Sequence, residues 1–335
     1  MPTLLADLTT LRLGGPAARV ETATTTEQLV DLVRAADATG EPVLLVGGGS
    51  NLVVADAGWD GVVILVRTAT FDVLGSRDTL IVDAEAGVVW DDLVAHSVRA
   101  GWSGLAAMSG IPGLTGATPI QNVGAYGSEV ADLIVGLHIL DRSTGEVEKW
   151  PPERCGFGFR TSAFKHTDRY VVLRVAFELT TSPVAPPVRY LELARRLGIE
   201  PGDTAPSAQV REVVLELRGS KGMLLDPSDH DTWSVGSFFV NPVVPRELVP
   251  DGCPNWVVDD QLKLSAAWLI EQAGFHKGYG RGNVTLSTKH TLALTNRGGA
   301  TTEELLAVAR VIRDGVEARF GIRLRPEAHL VGVEL

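Results

Sequence analysis

An eighteen-residue stretch without a charged side chain strongly limits what this chain can fold into. Residues 110–127 read Gly-Ile-Pro-Gly-Leu-Thr-Gly-Ala-Thr-Pro-Ile-Gln-Asn-Val-Gly-Ala-Tyr-Gly, with five glycines and two prolines. That composition excludes a regular helix or a central strand. A connecting loop of this length is usually functional or disordered, and this one lacks the polarity of disorder. Because successive amides in glycine turns can form an anion-binding nest, we expect a loop that holds a phosphorylated cofactor.

A second glycine turn, Gly47-Gly48-Gly49-Ser50-Asn51, follows a short apolar run at 43–46. The segments after it, 52–54 and 62–66, have the apolar pattern of strands rather than a helix. A Rossmann fingerprint needs GxGxxG at the opening of a helix, and the chain contains no GxGxxG. The turn is therefore predicted to receive phosphate through backbone amides, without nearby cations and without being the dinucleotide motif.

The composition is that of a globular protein with an acidic balance. The chain has 335 residues, of which 45% are apolar, and its formal net charge is −11, which disfavours nucleic acid as a partner. No apolar run approaches the ~18 residues of a membrane span, and the N-terminus lacks the pattern of a secretory signal. Two separated cysteines, Cys155 and Cys253, fit a reducing compartment. We expect a cytoplasmic protein that does not bind membranes.

A basic stretch lies within the last third of the chain. Residues 272–302 contain Lys277, Arg281, Lys289 and Arg297 but no Asp or Glu. A local basic surface on an acidic protein is a candidate site for a small polyanion, and the alternative is an ordinary solvated face. Charge alone does not decide between these two interpretations.

Apolar periodicity predicts an α+β protein with three domains, 1–70, 71–217 and 218–335, of which the first two are lobes that hold the cofactor. In this prediction, the last strand of the chain can return to the cofactor-binding region. Two helices are predicted from capping boxes: one begins at Thr24-x-x-Glu27, and one begins at Thr301-x-x-Glu304 and ends near Phe320. Further predicted helices span 90–99, 191–197, 209–217 and 262–273. Predicted strands are 19–23, 43–46, 52–54, 62–66, 80–84, 133–140, 146–150, 169–179, 237–240, 284–286, 292–295 and a terminal one.

Signatures of several other enzyme classes are missing from the sequence. It contains no GxxxxGK[ST], no HExxH and no GxSxG, so a P-loop, a zincin and a nucleophile elbow are not indicated. Asp229-His230-Asp231 is the one metal-like cluster, and it is more typical of a polar turn than of a metal site. The absence of these signatures favours a redox reaction that is carried by a cofactor.

The order of the motifs resembles the UDP-N-acetylenolpyruvoylglucosamine reductase (MurB) family. This resemblance covers nearly the whole chain, and the motifs in this order are more specific to the family than any single motif is. The motifs are Gly47–Asn51, 111–127, Phe159–Lys165, Gly236–Pro242, Lys263–Leu264, Gln272, Asn283 and Arg325–Glu327. The resemblance implies a two-lobed, vanillyl-alcohol-oxidase-like FAD-binding region plus a smaller α+β substrate-binding domain. The segment around Val188-Arg189-Tyr190 resembles the substrate loop of the family's longer subtype.

The resemblance also implies an activity. It is the NADPH-dependent, FAD-mediated reduction of UDP-N-acetylglucosamine enolpyruvate to UDP-N-acetylmuramate in peptidoglycan precursor synthesis, by a monomer with noncovalent FAD. Two alternatives stay open. One is a flavin oxidase or dehydrogenase of the same fold that acts on a small alcohol or 2-hydroxy acid. The other is a non-catalytic nucleotide-sugar-binding protein.

Site residues follow from the same resemblance. Arg160 would stabilise developing negative charge with support from Glu327, and Ser237 would donate a proton; each alone would pass for an ordinary surface or strand residue. The residues implied for FAD are Gly47, Gly48, Gly49, Ser50, Asn51, Gly110, Ile111, Gly116, Ala117, Thr118, Ile120, Gly124 and Ala125. Those implied for the substrate are Tyr190, Lys221, Asn241 and Gln272. No metal is expected.

Overall fold

The computed structural model describes residues 2–258 and 260–335. Helices and strands are mixed along the chain, as the α+β prediction requires. The helices are α1 Thr26–Thr39, α2 Trp90–Arg99, α3 Leu191–Leu197, α4 Ser207–Ser220, α5 Ala266–Gln272 and α6 Thr302–Phe320. The strands are β1 Ala17–Ala23, β2 Val43–Val46, β3 Leu52–Val54, β4 Trp59–Val66, β5 Phe71–Gly75, β6 Thr79–Glu85, β7 Trp102–Ser103, β8 Gly124–Ala125, β9 Ser128–Glu129, β10 Ile134–Asp141, β11 Glu146–Trp150, β12 Tyr170–Thr181, β13 Val243–Val244, β14 Asn255–Val258, β15 Gln261–Leu264, β16 Gly280–Arg281, β17 Val284–Leu286, β18 Leu294–Asn296 and β19 His329–Val331.

Contacts group the chain into two compact units. The central unit contains Arg19–Gly48 and Gly61–Gly219. The C-terminal unit contains Ser220–Leu335 together with Gly49–Asp60 and the segment that ends at Ala18. The division at 1–70, 71–217 and 218–335 stays a prediction. The last strand, β19, pairs in parallel with β3, so it stays within the C-terminal unit.

The central unit is built on a mainly antiparallel sheet in which β12 is the middle strand. The order is β11-β10-β12-β6-β5, and β7 also pairs with β12. Side chains of β12 are buried on both faces, since Val171 and Leu173 pack with α1 whereas Val175 and Phe177 pack with α2. Burial on both faces explains why residues 171–173 are a continuous apolar run. A second sheet has the order β1-β4-β2.

Helices α3 and α4 belong to an insert, residues 183–219, with a small apolar core of its own. Val188, Leu193, Val210 and Val214 are buried in this cluster together with Ala106 from the segment that precedes the glycine loop. The insert is therefore packed on the region that leads into residues 110–127, within the same unit.

The C-terminal unit packs α5 and α6 with three small sheets, ordered β13-β15-β14, β16-β17-β18 and β19-β3. The predicted capping box of α6 is confirmed, because the Thr301 and Glu304 side chains each accept an amide hydrogen bond from the other residue. Gly321 ends this helix at φ 68°, in the left-handed region that favours glycine. No helix in the described ranges is long and apolar enough to span a bilayer.

Three predicted elements are wrong in detail. The cap of α1 is Thr25, which accepts from the Gln28 amide, and not Thr24. Residues 237–240 form no strand, only a single bridge from Phe239 to Pro326. The predicted helix 262–273 begins late, at Ala266, because 261–264 pairs as β15 with strands on both sides. Pairing with β13 and β14 overrides the local helical preference in the last case.

Candidate functional site

In the central unit, the turn at Gly47 and Gly48 packs directly on the long loop. A Cβ on Gly48 would lie 2.8 Å from Gly113 Cα, and one on Gly116 would lie 2.4 Å from Ala86 Cβ. In the C-terminal unit, Gly49 has φ +61° and its Cβ would lie 1.9 Å from the Leu8 carbonyl oxygen. Glycine is therefore required at these positions for the approach of backbone to backbone.

Five of the loop amides predicted to donate to a cofactor donate within the protein. The Gly110 N–H donates to Asp91 Oδ1 at 2.6 Å. The amides of Gly116, Ala117, Thr118 and Ile120 donate to backbone carbonyls at 2.9, 3.0, 3.0 and 3.3 Å. These bonds hold the shape of the loop itself. Gly124 and Ala125 form β8 and pair with β9 in a short hairpin.

A cation that the sequence did not indicate lies beside the glycine turn. Arg67 donates from Nη1 to the carbonyl oxygens of Gly47, at 3.0 Å, and Val66, at 2.7 Å. The expectation of a turn without nearby cations is therefore wrong. Strands β2 and β4 are parallel, with Val46 opposite Leu65, so Arg67 and Gly47 leave the same edge of the sheet. That pairing is long-range, and no local signal announces it.

The glycine turn and its neighbours fit the diphosphate of an FAD. Gly47 and Gly48 have no side chain that would cover their backbone, and the Arg67 guanidinium supplies positive charge beside them. The apolar side chains of Ile111 and Leu114, in the 110–127 loop, pack with two of the core clusters of the central unit. A close-packed glycine backbone, a cation and an apolar wall suit a cofactor with both anionic and flat aromatic parts.

Arg160 lies in a strained network that includes the long loop. Its guanidinium donates from Nη2 to the Gly124 oxygen at 2.8 Å and from Nη1 to the Asn122 oxygen at 3.3 Å. Arg160 has φ 53° and Asn122 has φ 43°, values that are uncommon for residues other than glycine. The Asn122 side chain donates to Glu129 Oε2 at 2.7 Å and accepts from the Ala131 amide at 3.1 Å. Strained backbone held by surrounding bonds is typical of functional sites.

Ser237 and Glu327 are brought together in the C-terminal unit. The Glu327 amide donates to the Phe238 oxygen at 2.8 Å, so the two residues lie on neighbouring segments, and both are half-buried. Asn51 lies next to them, since its Nδ2 donates to the backbone oxygen of Glu327 at 3.4 Å. Gly236, just before the serine, has φ 73°. Three predicted site residues are thus adjacent here, while Arg160 belongs to the central unit.

The basic stretch 272–302 is partly neutralised by acids from elsewhere in the chain. Lys289 pairs with Asp229, and Arg297 pairs with Asp231 Oδ1 at 2.7 Å. Asp229 also accepts the Asp231 amide, which confirms the polar-turn interpretation of 229–231. In the described residues, no group of three His, Cys, Asp or Glu side chains is arranged to hold a metal.

A half-buried histidine, His290, lies near two lysines in this part of the chain. Burial, together with the charges of Lys221 and Lys277, lowers the pKa of His290 to about 4, while the charge of Glu271 acts in the opposite direction. His290 is therefore neutral at pH 7. Lys221, the predicted substrate residue, is half-buried beside it.

The other predicted substrate residues have different environments. Tyr190 is exposed and packs edge-on against Tyr126 of the glycine loop, with ring centres 5.4 Å apart. Asn241 accepts the Ala266 amide at 2.9 Å, at the start of α5. Gln272 is exposed at the end of the same helix. Asn241 therefore has a structural role in addition to the predicted one.

Comparisons with known proteins assign the chain to a family. The family model described as "FAD binding domain" matches residues 17–150, and "UDP-N-acetylenolpyruvoylglucosamine reductase, C-terminal domain" matches residues 226–331. The protein named UDP-N-acetylenolpyruvoylglucosamine reductase in Nocardia farcinica is 54% identical over 99% of this chain and 89% of its own. The protein of that name in Thermobifida fusca is 51% identical over 99% and 97%.

A solved structure agrees with these matches. The MurB reductase of Thermus caldophilus superposes with a TM-score of 0.69 and is 27% identical, covering 99% of this chain and 98% of its own. This likeness and the FAD-binding match confirm the predicted fold class. The chain belongs to the UDP-N-acetylenolpyruvoylglucosamine reductase (MurB) family.

Proposed function

We propose that the protein is the FAD-dependent oxidoreductase that reduces UDP-N-acetylglucosamine enolpyruvate to UDP-N-acetylmuramate with NADPH, a step of peptidoglycan precursor synthesis. The observation that carries the proposal is the juxtaposition of Ser237 and Glu327 through the Glu327–Phe238 backbone bond, in a chain with a full-length family match. These two residues are far apart in the sequence and come together only in the fold. The proposed subtype is the longer one, because the insert carries Tyr190.

Noncovalent FAD, when bound, would accept a hydride from NADPH and supply it to the vinyl β-carbon of the substrate. The glycine turn 47–51 is the proposed seat of its diphosphate, with Arg67 as an additional contact. The 110–127 loop contributes mainly by close backbone approach and by its apolar wall, since five of its predicted donor amides already have acceptors.

The remaining chemistry belongs to side chains of this protein. As the β-carbon gains a hydride, negative charge spreads into the conjugated carboxylate of the substrate, and the Arg160 guanidinium would stabilise it. The Ser237 hydroxyl would then give its proton to the α-carbon. An enolate of a carboxylate is a strong base, so this serine needs no large pKa shift to act as the donor. Glu327 would support the charge when protonated or bonded through water, because a bare carboxylate would repel it.

Nucleotide diphosphates would bind at lysines in and next to the basic stretch. Lys221 is the main candidate, with Lys277 beside His290, and Tyr190, Asn241 and Gln272 complete the proposed set. We infer that NADPH and the sugar nucleotide occupy this site in turn, which gives ping-pong kinetics. A monomeric state and a cytoplasmic location are further parts of this proposal.

The activity can be tested by anaerobic spectroscopy on the purified protein. We expect the absorption bands of bound FAD, their bleaching on addition of NADPH, and their return on addition of UDP-N-acetylglucosamine enolpyruvate with stoichiometric formation of UDP-N-acetylmuramate. A flavin oxidase would be bleached by a small alcohol or 2-hydroxy acid and restored by oxygen. A non-catalytic sugar-nucleotide binder would show no flavin bands. Either of these two results contradicts the proposed reaction.

The diphosphate site can be tested with a pair of lysine variants. Lys221→Ala is expected to raise the KM of both substrates about 10- to 100-fold, the consequence of losing a hydrogen bond to a charged group. Lys289→Ala serves as the matched control, because Asp229 already neutralises that lysine, and it should change either KM much less. Steady-state kinetics in both substrates measures the two effects. Unchanged KM values in Lys221→Ala would remove this residue from the site.

A further inference from the structure

An ion pair outside the predicted site controls the first residue of the glycine loop. Asp91, in the first turn of α2, accepts two hydrogen bonds from Arg211 of α4, at 2.6 Å to Oδ1 and 2.8 Å to Oδ2. The same Oδ1 accepts the Gly110 amide at 2.6 Å. A bidentate guanidinium–carboxylate pair has a fixed geometry, and it here meets a backbone amide as a third member. The three groups form one connected network.

The network is partly shielded from water, and a second cation lies near it. The side chains of Arg211 and Asp91 are 19% and 32% exposed. Arg218 lies seven positions after Arg211 on α4, so it occupies the same face of the helix; it is buried, and its charge acts on both Asp91 and Tyr126. Charges held in this way are much less screened by salt than surface pairs are.

Gly110 is the point at which the loop changes direction. It has φ 71°, and the chain that leaves it reaches Gly113, which packs on Gly48, within three residues. The orientation of the Gly110 peptide therefore sets the path of residues 111–113. Since α4 belongs to the insert 183–219, the pair also connects that insert to the loop.

We propose that Asp91 and Arg211 are positioning residues that hold the start of the glycine loop in the conformation that binds FAD. The inference rests on the proposed FAD site. Neither residue contacts the cofactor in this proposal; Arg211 fixes the Asp91 carboxylate, the carboxylate fixes the Gly110 amide, and the amide fixes the loop. The insert thereby contributes to cofactor retention through α4, independently of Tyr190.

The charges around Asp91 predict a pH signature. Burial alone would raise the pKa of Asp91, but hydrogen bonds from Arg211 and Gly110 and the charge of Arg218 outweigh burial and lower it. In the wild type the carboxylate therefore stays ionised down to below the ordinary Asp range. Without Arg211, fewer interactions oppose the effect of burial, so the pKa of Asp91 rises. Protonation would then begin at a higher pH than in the wild type and would remove the charged acceptor of the Gly110 amide.

The test measures FAD release from holoenzyme by the rise in flavin fluorescence after dilution, between pH 5 and pH 8. Arg211→Met keeps most of the side-chain volume and is expected to release FAD about 10- to 100-fold faster than the wild type, as expected for the loss of charge-assisted hydrogen bonds. Its release should accelerate further as the pH falls, whereas the wild type should change little. Glu216→Gln, on the same helix as Arg211, is the control, because it breaks an exposed pair with Arg196 of α3.

The outcomes separate this inference from the proposed function. A wild-type protein that binds no FAD contradicts the proposed function, whereas wild-type FAD release from folded Arg211→Met at every pH overturns only the positioning role. A fall in thermal stability of Arg211→Met without a new pH dependence of release likewise means a purely structural pair. If Arg211→Met does not fold, Arg211→Lys replaces it. Lysine keeps the charge without the bidentate geometry, so faster release with a wild-type pH profile supports the proposal, and unchanged release overturns it.

Discussion

Ser237→Ala is expected to leave the reduction of bound FAD by NADPH nearly unchanged and to slow reoxidation by the enolpyruvyl substrate about 10²- to 10⁴-fold. The first half-reaction needs no proton donor at the substrate α-carbon, whereas the second does, and this range is the usual contribution of a positioned general acid. Rapid-mixing absorbance at the flavin bands measures each half separately. Ser237→Cys should recover part of the lost rate, because a thiol also donates a proton.

A neighbouring serine provides the control. Ser234 Oγ accepts the Gly236 amide at 3.1 Å, so Ser234→Ala disturbs the same turn without removing the proposed donor. We expect a small and equal effect on both half-reactions in that variant. Equal slowing of the two halves in Ser237→Ala would instead mean that this serine positions a bound group, and its assignment as the proton donor would fail.

Arg160→Met should slow the same second half-reaction by about 10²- to 10³-fold, the range measured when one donor to a developing oxyanion is removed. The cause is lost stabilisation of negative charge, so Ser237 cannot compensate for it. Because the guanidinium also holds the Asn122 and Gly124 carbonyls, FAD release must be measured in parallel. Arg160→Lys keeps the charge but not the forked geometry and should recover only part of the rate.

The control for this variant is an arginine of the same region with surface contacts. Arg154 pairs with Glu148 and lies over the Trp150 ring, and its side chain is half exposed. Arg154→Met should leave both half-reactions at the wild-type rate. Wild-type reoxidation in Arg160→Met, with FAD retained, would contradict the role proposed for Arg160.

Local features of the sequence determined much of the fold. The α6 helix follows from its capping box, its apolar stripe and the glycine at 321, and β11 has the predicted bounds 146–150. The glycine turns were likewise predictable, because glycine in the sequence marks the positions at which the backbone has no room for a Cβ. Membership of the reductase family also follows from the order of the motifs, since each motif keeps its place along the chain.

Contacts between distant segments decided what the sequence could not. The stretch 272–302 reads as basic, yet Asp229 and Asp231 neutralise Lys289 and Arg297, and only folding brings those acids there. Residues 262–264 belong to the predicted helix 262–273 but lie in β15, because β13 and β14 pair with this strand on its two sides.

The environment of the glycine loop was also decided in three dimensions. Arg67 reaches Gly47 because two parallel strands end at the same edge of a sheet, and Arg211 reaches Asp91 because the insert folds back on α2. The amide of Gly110, which the sequence offered to a cofactor, is bonded to Asp91. A sequence lists which donors and charges exist, but hydrogen bonds and ion pairs act only over a few ångströms. Which donor meets which acceptor is therefore set by the tertiary fold.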